Sequence, residues 1–167
     1  MRGEALPTLT EIATKAGVQR TTIYRRWGST ESVLLEATNA DPQKAMPIPD
    51  TGSLQTDLEA IARAGHKFHN SEEGRTLIEM LIGASEEIKQ TYWKQRYAVL
   101  SQIFERAVER NEISPQEKWD VYLDVFIAPR YFCTWGKAEQ WTLESSTQLI
   151  SILCSALKDG SRRKRSQ

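Results

Sequence analysis

LTEIATKAGVQRTTIYRRWGSTESVLL, residues 9–35, is the stretch that decides the fold. It reads as two short helices broken at Gly17, the second crowded with polar and basic side chains. Thr8 and Glu11 have the spacing of a capping box: the hydroxyl takes the amide of Glu11, and the carboxylate reaches back to that of Thr8. Leu9, Ile12, Ala13 and Ala16 then recur at i, i+3, i+4 and i+7, which gives the first helix one apolar face. Gly17 stands just past its end, where a positive φ carries no Cβ penalty. Val18 is placed to plug the space between two helices crossing at a steep angle. A second helix, from Arg20 to about Trp27, turns Ile23 and Trp27 inward. It leaves Gln19, Arg20, Thr21, Thr22, Tyr24, Arg25 and Arg26 for solvent or a partner. Helix, tight turn and polar-basic helix describe a helix-turn-helix.

The side chains of that second helix suit DNA. Arg and Gln present forked donors and acceptors that read base edges in the major groove. Thr and Tyr hydroxyls, with guanidinium groups, hold phosphates and fix the docking register. From Leu9 to Thr30, the four basic residues Lys15, Arg20, Arg25 and Arg26 stand against one acid, Glu11, a local charge of +3. The candidate DNA contacts are Thr8, Gln19, Arg20, Thr21, Thr22, Tyr24 and Arg25. A solvated helix face would explain the charges alone; the turn and its register favour the DNA-reading interpretation.

The whole chain of 167 residues carries 22 Lys+Arg against 22 Asp+Glu, so nucleic-acid binding has to come from a local patch. No apolar run approaches the roughly 18 residues that span a bilayer, and the start has no signal-peptide segment. The only cysteines, Cys133 and Cys154, fall in apolar helical patterns and form no CxxC motif. A cytoplasmic protein with no membrane partner is the expectation. His66 and His69 lie one helical turn apart, but no further ligand is placed by spacing. Neither a metal nor a cofactor is expected. Without a Ser/His/Asp arrangement, a phosphate-cradling Gly loop or HExxH, an enzyme is not expected either.

Beyond the head, every segment reads as helix. Ser29 caps a third helix to about Ala40, and Pro42, Pro47, Pro49 and Gly52 then mark a connector. Apolar stripes predict helices from Leu54 to Phe68, around Leu77–Ile82, from Glu87 to Asn111, from a capping box at Ser114–Glu117 through Pro129, and from Leu143 to Leu157. The fold class is all-α: a head at residues 1–40, a linker at 41–52, a helical body at 53–157 and a basic, disordered tail at 158–167. The last two helices are apolar on two sides, and one core of this size covers only one. A second copy completing a four-helix bundle is expected, with Ile150 and Leu153 in the interface.

IATKAGVQRTTIYRRWGSTESVL resembles the DNA-binding signature of the TetR family of bacterial transcriptional regulators. The likeness lies in the Ile-Ala before the turn, the Ala-Gly-Val turn and the Thr-x-x-Tyr-x-x-aromatic helix. Fragments such as DTGSLQTDL and IAPRYF resemble the ligand-binding and dimerisation region of one subgroup. The resemblance implies a homodimer on a palindromic double-stranded operator and a cavity for a small, largely apolar effector. Phe68, Leu81, Trp93, Tyr97, Tyr122 and Phe126 are the candidate effector contacts, although core packing explains each equally well. It also implies an amphipathic helix ahead of the motif. Here the chain begins where that helix would end, which predicts an N-terminal truncation, with lost cover at Leu9, Ile12, Ile23 and Trp27. Thr30 stands where the family carries a phosphate-contacting Lys. The expected function is a one-component transcriptional regulator, a repressor released by its effector. The alternative is a dimeric ligand-binding or interaction module that has lost DNA binding with part of its head.

Overall fold

The structure, a computed structural model, describes residues 7–30, 32, 33, 36, 48–133 and 140–165, the side chains of residues 73 and 159–165 excepted. Seven helices are defined in it: α1 (Leu9–Ala16), α2 (Arg20–Trp27), α3 (Leu54–His69), α4 (Glu72–Gly83), α5 (Glu86–Glu109), α6 (Trp119–Tyr131) and α7 (Leu143–Arg165). Among the described residues there is no strand. The first six residues, residues 37–47 with most of the proline-bearing connector, and residues 166 and 167 of the tail lie outside the described set. The chain divides into two compact units, Met1–Ala45 with His69–Tyr97, and Met46–Phe68 with Ala98–Gln167.

In the first unit, α1 packs on α2 through Leu9, Ala13 and Ile23, with Ile12, Trp27 and Val33 against them. Ile23 is only 3% exposed, a burial that contributes about 1.5–3 kcal/mol. Leu9 is buried as well, while Ile12 and Trp27 are half-buried. Gly17 ends α1 at φ 67°, and the amides of Gly17 and Val18 donate to the carbonyls of Thr14 and Ala13, a Schellman turn. A Cβ at Gly17 would meet nothing within 4 Å, so the backbone angle alone asks for glycine. Val18 does not plug the helix crossing as expected; it is 45% exposed. Ala13 and Ile23 are instead buried together in the cluster between the two helices. In α4 and the start of α5, Leu81, Ala84, Ile88 and Tyr92 form a second cluster, covered by Leu77, Met80 and Trp93.

The second unit is built on the buried faces of α3, the later part of α5, α6 and α7. Leu58, Ile103, Phe104, Ile113, Leu123, Ile150 and Leu157 are its most deeply buried apolar side chains. Trp119 opens α6 by stacking on Phe104 with ring centroids 5.5 Å apart. This start corrects the sequence reading. Ser114–Glu117 is a turn, with the Glu117 amide on the Ser114 carbonyl, and the helix begins only at Trp119. The Ser114 hydroxyl meets Gln116, so the four residues close locally. At its far end α6 passes through Pro129 to Tyr131. α7 continues past Leu157 to Arg165, so residues 158–165 of the expected disordered tail are helical.

One charged group lies at the centre of this unit. Asp57 is fully buried and accepts from the Thr51 amide at 2.6 Å, the Thr51 hydroxyl at 2.7 Å and Arg110 Nη2 at 3.1 Å. Arg110 also donates to Glu112 at 2.6 Å and to Asp50 at 3.1 Å, while Glu112 caps the Leu54 amide at 2.8 Å. Arg106 donates to the Pro49 carbonyl. Pro49 and the DTGSLQTD stretch of residues 50–57 are thereby fastened to the end of α5. Burial works against the charge of Arg110, but Glu112 and Asp57 outweigh it and hold its proton more tightly than usual. Breaking such a pair from one side is far more damaging than its net worth, because the other charge stays buried. Arg110→Ala should therefore destabilise the chain by about 3–5 kcal/mol in denaturant unfolding, and an exposed control, Arg63→Ala, should change it little.

Candidate nucleic-acid interface

Because Ile23 faces α1, with Trp27 against the same cluster, the polar residues of α2 are turned to solvent. Gln19, Arg20, Thr21, Thr22, Tyr24 and Arg25 are all exposed, and Tyr24 shows 48% of its surface. Thr21 and Arg25 stand opposite Ile23 on the helix, with Tyr24 and Thr22 on the two flanks. Thr21, Thr22, Tyr24 and Arg25 thus share the side of the helix away from Ile23, and Gln19 and Arg20 are exposed at its N-terminal end. Among the described residues, Arg20 and Arg25 have no acidic partner, so both are available to a polyanion.

Thr8 is differently placed. Its amide donates to Glu11 Oε2 at 2.7 Å, its hydroxyl donates to the same oxygen at 2.8 Å, and the Glu11 amide donates back at 3.2 Å. The capping box read from sequence is complete, and the proton of the Thr8 hydroxyl belongs to it. The Thr8 amide and then its hydroxyl hold the Glu11 carboxyl below the usual glutamate range. A folded-state value below the unfolded one adds stability above the ordinary glutamate range, lost as pH falls through the lowered value.

Two other described cations of the head, Lys15 and Arg26, have acidic neighbours. Lys15 Nζ lies 3.9 Å from Glu72 with both side chains largely exposed, a weak pair. Arg26 Nη2 donates to Glu36 Oε1 at 2.5 Å, and Trp27 Nε1 donates to Glu36 Oε2 at 2.7 Å. The Arg26 guanidinium stands 4.7 Å from the centre of the Trp27 ring. Glu36 is held below the usual carboxylate range, first by the Arg26 hydrogen bond and then by that of Trp27. The sequence reading left Arg26 for solvent or a partner and gave Glu36 no role. Thr30, at the position of the family's Lys, donates its hydroxyl to the Pro7 carbonyl at 2.9 Å and ties the entry of α1 to the segment after α2.

The expected effector residues fall in both units. Leu81, Trp93 and Tyr97 belong to the first, where Leu81 is 5% exposed within its cluster and the Trp93 and Tyr97 rings meet edge-on with centroids 6.5 Å apart. Phe68, Tyr122 and Phe126 belong to the second and are half-buried. The face apolar twice over is also resolved into its sides. Ile150 and Leu153, expected in an interface between copies, are 1% and 5% exposed within their own chain. On α6, Val121, Val125, Ala128 and Phe132 recur at i, i+4, i+7 and i+11 and are exposed, and Ile152 of α7 is 65% exposed.

Comparison with known proteins places the chain. Residues 5–37 match the bacterial regulatory proteins of the tetR family, and residues 48–152 match the tetracyclin repressor-like C-terminal domain. HTH-type transcriptional regulator AqdR of Rhodococcus erythropolis is 33% identical over 108 residues, 62% of this chain and 52% of that protein. The HTH-type regulator YdeS of Bacillus subtilis is 27% identical over 132 residues, 75% of this chain and 66% of that protein. The chain thus spans about half to two thirds of the length of these relatives. The crystal structure of the TetR family transcription regulator SCO0332 superposes with a TM-score of 0.72 at 24% identity, covering 92% of this chain and 87% of that one, a likeness of fold. With both its head and its C-terminal region matched, the chain belongs to the TetR family of helix-turn-helix transcriptional regulators.

Proposed function

We propose that the chain is a one-component repressor that binds a palindromic operator as a homodimer and leaves it when a small, largely apolar effector binds its C-terminal helices. The observation that carries the DNA-binding part is the exposed surface of α2, where Thr21, Thr22, Tyr24 and Arg25 lie on the side away from the buried Ile23 and Gln19 and Arg20 stand exposed at the N-terminal end. A helix so held can enter the major groove, with Arg20 and Gln19 near its N-terminus reaching base edges and Tyr24, Thr22 and Arg25 meeting phosphates. Two copies reading one operator need recognition helices about 34–36 Å apart, or a multiple of that. An effector releases DNA if it favours a spacing that no longer fits, and it shifts the equilibrium only by its differential affinity for the two arrangements. The match to a tetracyclin repressor-like C-terminal domain supports a ligand-responsive body.

The dimer is supported by the α6 stripe of Val121, Val125, Ala128 and Phe132 with Ile152 of α7, apolar residues exposed on the protomer. A two-fold partner would cover each stripe with its own copy.

Arg20→Ala should weaken binding to the preferred sequence by about 1–3 kcal/mol and relax preference at the base it reads. Tyr24→Phe should weaken all sequences alike, with helical content unchanged in both variants. Equal affinity of both variants and wild type in a fluorescence-anisotropy titration would remove α2 as the reading helix. For the dimer, Val125→Glu should give a folded monomer in sedimentation. Ile150→Glu should instead unfold the protomer, because that side chain lies in its core. A Val125→Glu protein that stays dimeric would exclude the α6 stripe as the interface.

A further inference from the structure

Arg26 is exposed over 62% of its side chain, and a tally of charge along α2 counts it with Arg20 and Arg25 as a cation for DNA. Its surroundings point elsewhere. Its guanidinium is held on one side by Glu36 Oε1 at 2.5 Å and stands 4.7 Å from the centre of the Trp27 ring. The second oxygen of the same carboxylate accepts from Trp27 Nε1 at 2.7 Å. One carboxylate thus engages two consecutive residues of the last turn of α2. An exposed ion pair by itself adds little to stability, so the effect of this arrangement is to be sought in what it does to the charge of α2.

We propose that Glu36 is a positioning residue of the DNA-reading head: it withholds Arg26 from the phosphates and fixes the Trp27 end of α2. The proposal rests on α2 being the DNA-contacting helix. Its consequence follows from the two components of DNA affinity. Each cation laid on a phosphate strengthens binding to every sequence equally, through counterion release. Base-reading side chains strengthen binding to one sequence only. An acid that occupies one of three arginines therefore lowers the sequence-independent component and leaves the base-reading component intact. The ratio of specific to non-specific affinity rises. Arg20 and Arg25 are left as the arginines of α2 that meet DNA.

The test is the salt dependence of binding by the full chain to a mixed-sequence duplex of about four helical turns, compared among wild type, Arg26→Ala, Glu36→Gln and the double variant. Log affinity against log salt falls with a slope of about 0.9 for each phosphate neutralised. Arg26→Ala should keep the wild-type slope, and Glu36→Gln should steepen it by about 0.9 per head as Arg26 is released onto a phosphate. The double variant should return to the wild-type slope, which separates release of Arg26 from simple removal of an acidic charge. Flattening by Arg26→Ala would overturn the proposal, since Arg26 would already be on DNA. Steepening that persists in the double variant would overturn it too. Either result leaves wild-type binding intact and the reading of α2 standing. Wild-type protein with no salt-dependent binding would overturn both together. Thermal melts of each variant check folding, and Arg26→Ala, which removes an exposed side chain, keeps the decisive comparison available if Glu36→Gln melts early.

Discussion

The burial of Ile23 against Leu9 and Ala13 is the constraint on which the functional end of this molecule depends. A two-turn helix has too few residues to hold itself in water, so α2 exists as a helix because its one buried side chain is gripped by α1. The same grip fixes its rotation. With Ile23 inward, six polar side chains are turned outward together, and neither loop length nor net charge needs to be tuned to present them. Gly17 makes the grip possible by ending α1 in a left-handed residue, from which the chain re-enters a helix after two further residues. Thr30 and Glu36 then hold the assembly from beyond α2, the first through the Pro7 carbonyl and the second through Arg26 and Trp27.

The C-terminal region rests on a different kind of interaction. Asp57 is a buried carboxylate, and its position is paid for by Arg110, Thr51 and the neighbouring amide rather than by apolar contact. Buried pairs of this kind are poor contributors to net stability, yet they tolerate few alternative arrangements. Here the pair specifies where the segment from Pro49 to Leu54 meets the end of α5. Apolar packing of α3, α5, α6 and α7 would accept small slides along a helix; a guanidinium shared among Asp50, Asp57 and Glu112 accepts much less.

Local signals in the sequence were legible to the residue. The capping box at Thr8, the glycine at position 17 and the limits of α1 and α2 all follow from spacing within about one turn, and the TetR resemblance at the turn agrees with the family matches. Misreadings arose where one pattern has two structural solutions. Ser114–Glu117 has the residues of a capping box, but the Ser hydroxyl went to Gln116 and the segment closed as a turn. The two apolar sides of α7 could not be assigned from periodicity, and Ile150 and Leu153 proved to be the inward ones while Ile152 points out. Interactions between distant residues left no trace in local pattern. Arg110 meets Asp57 across 53 positions, and Arg26 meets Glu36 across ten. The DTGSLQTD fragment was visible as a likeness, but its reason, a carboxylate placed for an arginine 53 positions away, is a property of the fold.

The central claim is that the outward face of α2 is the surface that meets DNA. Mapping amide and side-chain NMR shifts of the intact protein during titration with duplex DNA tests it most directly. The account predicts the largest changes at Gln19, Arg20, Thr21, Thr22, Tyr24 and Arg25, diminishing as salt is raised, with the α6 stripe unaffected. Changes centred on α6 and α7 with α2 silent would contradict it.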